Sequence, residues 1–227
     1  MTLFLPHRGT ELAERMDDPD CDAEALAQTY AQFARVNSLL SGWTGIYKRA
    51  LRPALRSGAR TVLDVGCGGG DVLRRLASLA ERDGLEAAFL GIDPDARAID
   101  FARSQPAVPN VTFECADVYS FSRRCDLLLS NHVLHHLADA EIPAFCRASE
   151  RLASVGAVHA DIRRSGLALG LFPFVGGWFR GSFILEDGLR SVRRAFTVEE
   201  LSELSPPGWK VRSPSPFRLE LTWNAPR

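Results

Sequence analysis

The sequence predicts an α/β protein: a doubly wound sheet of seven strands, mostly parallel, closed by an antiparallel hairpin and preceded by a helical lid. Three observations predict it. Five short apolar runs alternate with stretches long enough for crossover helices, the pattern of parallel strands buried on both faces. The first run passes into a glycine-rich turn, Gly66-Cys67-Gly68-Gly69-Gly70, and then a helix, which is the form of a ligand-binding strand end. Two last runs are joined by Ser213-Pro214-Ser215-Pro216, a connection suited to a hairpin at the edge of a sheet.

The elements follow in order. Ala23, Leu26, Ala27, Tyr30, Phe33, Ala34, Val36 and Leu40 recur at helical spacing, and Gly42 supplies a stop, so an amphipathic helix opens the chain. A second helical stretch runs from Thr44 to Arg56 and is interrupted by Pro53. The strand runs are Thr61–Val65, Ala87–Ile92, Val111–Cys115, Cys125–Ser130 and Val155–Asp161, with a helix at Asp71–Arg82 after the glycine turn. Asp93 is expected to cap a helix that starts at Pro94. Beyond Asp161 the alternation breaks. A segment rich in Phe, Trp and Gly spans Gly166 to Phe183, Thr197 and Glu200 form a capping box, and strands are expected at Trp209–Arg212 and Phe217–Trp223. The division predicted is a lid over residues 1–58 and a main domain over 59–227, with a substrate-side insertion at about 164–196.

Composition excludes several classes. The chain has 227 residues, of which 46% are apolar and 24% charged, values of a soluble globular protein rather than a disordered or fibrous one. Its net charge is −1, which leaves no global positive field for a nucleic-acid backbone. Five scattered cysteines without a CxxC pair or zinc-ligand spacing suit reduced thiols in the cytoplasm, and the acidic N-terminus lacks the form of a signal peptide. The longest uncharged stretch, between Arg164 and Arg180, is broken by four glycines and Pro173, whereas a membrane span wants ~20 continuous apolar residues. No integral membrane association is expected.

The glycine turn discriminates among ligands. A phosphate-binding loop needs Lys-Ser/Thr after its last glycine, and here Asp71-Val72 follows. A dinucleotide fingerprint needs a sixth-position glycine, and Asp71 would set a carboxylate against pyrophosphate. Acidic Asp64 and Asp71 suit instead a ligand with a cationic head and no phosphate, such as S-adenosylmethionine with its ammonium and sulfonium groups. Asp93, at a second strand end 27 residues after Gly66, stands where a ribose-binding carboxylate belongs in this topology.

At these residues the chain resembles the class I S-adenosylmethionine-dependent methyltransferases, whose Rossmann-like fold it would share. Asp64-Val65-Gly66-Cys67-Gly68-Gly69-Gly70 is similar to the family's first motif, Gly91-Ile92-Asp93 to its second and Cys115-Ala116-Asp117-Val118 to its third. The resemblance implies that Asp64, Gly66, Gly68, Asp93, Pro94 and Asn131 hold the cofactor. It also implies that Asp117 faces the adenine amino group, with Val118 beside it and Ala116 under the ring. Asn131-His132-Val133-Leu134-His135-His136-Leu137, after the fourth strand, resembles the segment that lines the methyl-transfer site.

The ends suggest the acceptor. Phe33 to Trp43 resembles the lid of bacterial enzymes in the ubiquinone/menaquinone and natural-product groups, with Tyr30, Phe33 and Arg35 as closing residues or as anchors of the helix. Leu167 to Phe179 is greasy enough to line an apolar pocket or to form a core helix, and Arg190-Ser191-Val192-Arg193-Arg194 offers either a site for an acidic group or a solvated face. A small apolar or aromatic acceptor, phenolic or quinol-like, follows, as in secondary metabolism. Methylation of RNA or protein, or cofactor binding without catalysis, are the alternatives. Were a helix to start near Asn131, His132, His135 and His136 would share a face, as a base, as metal ligands or as structure. His132 and His135 are taken as catalytic, His132 as the preferred base, and no metal is assigned.

Overall fold

Each central strand sends successive side chains to opposite faces, and both faces are apolar. Val62, Leu127 and Leu129 join one core cluster while Leu63 and Leu128 join the other, so helices must cover the sheet on both sides. The computed structural model describes residues 5–40 and 42–226, with backbone only at 38–40. Its strands are β1 Thr61–Val65, β2 Ala88–Asp93, β3 Val111–Cys115, β4 Cys125–Asn131, β5 Ala153–Ile162, β6 Lys210–Ser215 and β7 Arg218–Asn224. They form one seven-stranded sheet in the order β3-β2-β1-β4-β5-β7-β6. β1 to β5 pair in parallel and β7 pairs antiparallel with both β5 and β6, as the sequence predicts.

The helices are α1 Ala23–Leu40, α2 Trp43–Ile46, α3 Arg52–Arg56, α4 Asp71–Arg82, α5 Ala96–Ser104, α6 Ile142–Leu152, α7 Gly166–Gly176, α8 Ile184–Arg194 and α9 Val198–Leu204. Chain order reverses direction across the sheet between β1 and β4, which opens a crevice at the carboxyl ends of these strands. Ligands bind there in open α/β sheets.

Local chemistry moves four details. Pro53 does not end the second helical stretch, because the π-helical turn Tyr47–Leu51 widens the backbone ahead of it and Pro53 falls in the first turn of α3, where a missing N–H costs little. Asp95 rather than Asp93 caps α5, accepting from the Arg97 N–H, and the helix begins at Ala96. The hairpin turn is Pro216-Phe217, since Ser215 still pairs with Arg218 and a bulge between Arg212 and Ser215 takes up Pro214. After β4 the chain forms a 3-10 turn, Leu134–His136, not an α-helix.

The expected boundary at residue 58 is no break in packing. Trp43, Ile46, Tyr47, Leu51 and Leu55 are buried in the same cluster as Leu73 and Leu76 of α4, so the α2–α3 stretch packs as part of the main body. Residues 1–4 and Ser41, which belong to the expected lid, lie outside the described residues. Among those described, no helix is long and apolar enough to cross a membrane. The apolar segment after Arg164 is α7, which buries Ala168 and Leu169 yet leaves Phe174 75% and Trp178, just beyond it, 86% exposed.

Candidate active site

A cavity of about 1250 Å³ occupies the crevice and extends under α7 and the N-terminal segment. Asp64, Gly66, Gly68, Asp93, Pro94, Ala116, Asp117, Val118, Asn131, His132 and His135 all line it. Four different strand ends, those of β1 to β4, and their loops bring them there.

The glycine turn is shaped by backbone it cannot give up. Gly66 and Gly68 have positive φ of 67° and 52°, and the Gly66 and Cys67 N–H groups both donate to the Ile92 carbonyl, 2.8 and 3.1 Å. A Cβ on Gly66 would collide with Val133, so the loop passes flush against the segment after β4. Asp93 accepts from the Gly68 N–H through Oδ2 and from the Asp95 N–H through Oδ1, each at 2.9 Å. Burial pushes its carboxyl up and those two donors hold it down. Each oxygen keeps a second lone pair free toward the cavity. Asp64 is 1% exposed and its Oδ1 has no hydrogen-bond partner among the described residues. Burial, with Asp71 and Asp93 nearby, raises its carboxyl well above the ordinary range. Such a group awaits a cation.

The N-terminal helix closes one side. Tyr30 and Phe33 line the cavity, whereas Arg35 is exposed and does not, contrary to its expected closing role. Asn37 donates to Asp71 Oδ2 at 3.0 Å, and Trp43 Nε1 donates to Asn131 Oδ1 at 2.9 Å. Thus Asn131 is held by the N-terminal helices even as it faces the cavity.

The three histidines come together without a shared helix. His132 has a positive φ of 60°, unusual for a residue with a Cβ, and this turns the chain out of β4 so that its ring meets that of His135 edge-on at 6.1 Å. His132 sits half-buried in the cavity wall. Burial lowers its pKa to about 4, Asp161 opposes this, and the charge of His135 lowers it further, so the imidazole is neutral near pH 7.

His135 differs. Its Nδ1 lies 2.7 Å from Asp161 Oδ1, its Nε2 lies 3.1 Å from Glu14 Oε1, and its backbone N–H donates to Asp161 Oδ2 at 2.9 Å. Burial alone would lower its pKa, but the two carboxylates raise it to about 10. A buried imidazolium with both nitrogens occupied cannot take a proton, which removes His135 from the role of base. Two sets of ligating atoms lie within 4.8 Å of one another, Glu14/His135/His136 and His132/His135/Asp161, and His135 is common to both. Its hydrogen bonds to the carboxylates account for the proximity.

Arg190 and Arg194 have a further part, holding backbone carbonyls of other segments. Arg194 donates to the carbonyls of Leu12, His135 and His136, and Arg190 donates to that of Ala13, so α8 ties the N-terminal segment to the histidine turn. Arg193 donates within its own helix to Leu189. Glu14, Asp161 and Arg218 also line the cavity and carry no motif that would single them out in sequence. Glu14 looks like one acid in an acidic tail, and Asp161 looks like the polar end of a strand.

A doubly wound sheet with an antiparallel β7 inserted before β6, a glycine turn after β1 and acidic residues at the ends of β1 and β2 together define the class I methyltransferase architecture. Residues 62–156 match a family model described as a methyltransferase domain. No curated protein matches the chain by sequence. Among solved structures it is similar to the plantazolicin methyltransferase BpumL in complex with a triazolic desmethylPZN analog and SAH, with 17% identity, 90% of this chain and 96% of that one covered, and a TM-score of 0.59. It is similar to magnesium protoporphyrin IX methyltransferase from Synechocystis PCC 6803 with bound SAH, with 16% identity, 92% and 90% covered, and a TM-score of 0.51. Human N-acetylserotonin methyltransferase in complex with SAM shares 13% identity over 89% of this chain and 58% of that one, with a TM-score of 0.53.

Proposed function

We propose that the protein is an S-adenosylmethionine-dependent methyltransferase that acts on a small, apolar acceptor, aromatic and phenolic or quinol-like, by O- or C-methylation. The observation that carries it is the single cavity that joins the glycine turn to His132 and to the apolar inner face of α7, formed by Ala168, Leu171, Phe172 and Val175. Its volume, about 1250 Å³, exceeds the usual ~300–1,000 Å³ of one ligand site and has room for cofactor and acceptor together. A cytoplasmic setting rests on the cysteine pattern alone.

The residues fit S-adenosylmethionine. The unpaired, buried Asp64 Oδ1 matches a cationic head, Gly66 and Gly68 leave the loop bare for close approach, and Asp93 keeps lone pairs for ribose hydroxyls. Ala116, Asp117 and Val118 line the part assigned to adenine, beside Pro94, and Asn131 bounds the site toward the acceptor. When bound, the cofactor supplies an electrophilic methyl group on a sulfonium.

The chain supplies alignment, exclusion of water and one proton acceptor. His132, neutral and facing the cavity, takes the proton of the acceptor. Its low basicity suits an acceptor whose hydroxyl is itself acidic. Tyr30, Phe33 and α7 keep water from the site. The structures of the plantazolicin and protoporphyrin methyltransferases support the fold of this reading and leave its acceptor open.

Incubation with S-adenosylmethionine carrying a labelled methyl group and a panel of phenols, quinols, RNA and protein tests the reading. Label in a small organic product is the expected result. Label in RNA or protein, or in nothing despite cofactor binding, overturns it in favour of a macromolecular substrate or a non-catalytic binder.

A further inference from the structure

The cavity wall carries a guanidinium with one buried nitrogen that has no hydrogen-bond partner among the described residues. Arg218 opens β7, and its Nη2 is buried with no hydrogen-bond partner among the described residues. The nearest acid along its own strand, Glu220, is fully committed: Arg49 donates to both of its oxygens at 2.8 and 2.9 Å, and Arg212 donates to Oε2 at 2.8 Å. Asp161 is likewise held by His135. Burial weakens the hold of the guanidinium on its proton, yet arginine stays charged in proteins. Buried donors without partners are rare and costly, and here the donor belongs to a residue that lines the cavity the acceptor is assigned to.

The surroundings keep this cation in place. Gly42 has a φ of +63°, and a Cβ there would collide with the Arg218 guanidinium, so the side chain lies flat on the glycine backbone. Phe172, Val175 and Phe217 line the same cavity and make its wall apolar. Arg218 also acts on His132, whose proton affinity its charge reduces. An anion seated on Arg218 would cancel that field and restore basicity to the imidazole when the acceptor is bound.

We propose that Arg218, seated on Gly42, is the acceptor-recognition residue, pairing with an anionic oxygen of an apolar aromatic acceptor beside His132. The inference rests on the methyltransferase reading and narrows its substrate to compounds that carry, beside the protonated group that His132 serves, an ionised phenol, enol or carboxyl oxygen. A planar guanidinium binds a carboxylate through two parallel hydrogen bonds and a phenolate or enolate oxygen through charge-assisted ones, and the two-point contact would also fix the orientation of the ring.

Binding of two probe pairs in the presence of S-adenosylhomocysteine tests it: 1-hydroxy-2-naphthoate against its methyl ester, and 4-nitrophenolate against 4-nitroanisole. Wild-type protein is expected to favour the anion at least tenfold in one pair, and that pair identifies the carboxylate or phenolate class. Arg218→Met and Arg218→Gln should abolish the preference while Arg218→Lys keeps part of it, with S-adenosylhomocysteine affinity unchanged. No preference in the wild type, or an equal preference in the Gln and Lys variants, overturns the proposal. Failure of the wild type to bind S-adenosylhomocysteine at all would instead remove the methyltransferase reading beneath it.

Discussion

His135 Nδ1 lies 2.7 Å from Asp161 Oδ1 at the base of the cavity, and the opposite ring nitrogen meets Glu14, 121 residues earlier in the chain. The two carboxylates are held down to about 2 against the effect of burial, chiefly by the imidazolium between them, and Ser191 donates to Glu14 at 2.6 Å. The arrangement fastens the N-terminal segment to the end of β5.

Its contribution to stability follows from the direction of each shift. His135 is raised to about 10, so its part is complete below the unfolded value of about 6.5 and is lost as pH rises toward 10. Glu14 and Asp161 are depressed, so theirs is complete above the ordinary carboxylate range and is lost as pH falls toward 2. His135→Gln should therefore cost most between about pH 4.5 and 6.5, on the order of 3–5 kcal/mol for a buried charge left unpaired. Thermal melts of both proteins across pH 3–10 measure this. A deficit that stays constant with pH would show that charge is not the cause.

Cofactor affinity should depend on the glycine turn. Gly66→Ala places a methyl group into Val133 at a positive φ, and Asp93→Ala leaves the Gly68 N–H without its acceptor and removes the carboxylate proposed for the ribose. Each is expected to weaken S-adenosylmethionine binding by at least tenfold, about 1.4 kcal/mol, in titration calorimetry. Unchanged affinity in Asp93→Ala would exclude Asp93 from the ribose site.

Turnover should depend on His132 and not on a metal. With a confirmed acceptor, His132→Ala is expected to lower kcat by about 10²-fold or more at matched cofactor affinity. The acid limb of the wild-type kcat/KM profile, which reports the free enzyme, should lie well below pH 6.5, near the depressed value of about 4. EDTA should leave the rate unchanged, since the His135 ring atoms are bound to Asp161 and Glu14. Full turnover in His132→Ala removes the base, and loss of turnover with chelator returns the histidines to a metal.

Lid motion should appear in proteolysis. Trp43 and Asn37 link the N-terminal helices to Asn131 and Asp71 in the cavity, so binding there should slow cleavage within residues 5–40. Equal cleavage with and without cofactor and acceptor would speak for a fixed cover.

The sheet, its antiparallel end and the glycine turn were legible because each is governed by near neighbours in the chain. Apolar runs five to seven residues long, glycines at positive φ and a carboxylate at the following strand end carry their meaning locally. The histidine cluster was legible in composition but not in geometry. The expected helix face is replaced by a positive-φ residue and a 3-10 turn, a choice made by the hydrogen bond from the His132 N–H to Ala160 on β5. Helix caps at Asp95 and the turn at Pro216-Phe217 shifted for equally small reasons, a single side-chain acceptor and a bulge.

By itself, then, the sequence determined the class of fold and the strand ends where a cofactor with a cationic head would bind, since periodicity and glycine stereochemistry act over a few residues. Only the tertiary structure decided which histidine is free and which is locked, and that Arg218 Nη2 has no hydrogen-bond partner among the described residues. Those facts depend on Glu14, Asp161 and Gly42 arriving from distant parts of the chain, and the charge state of a buried group is set by whichever partners reach it.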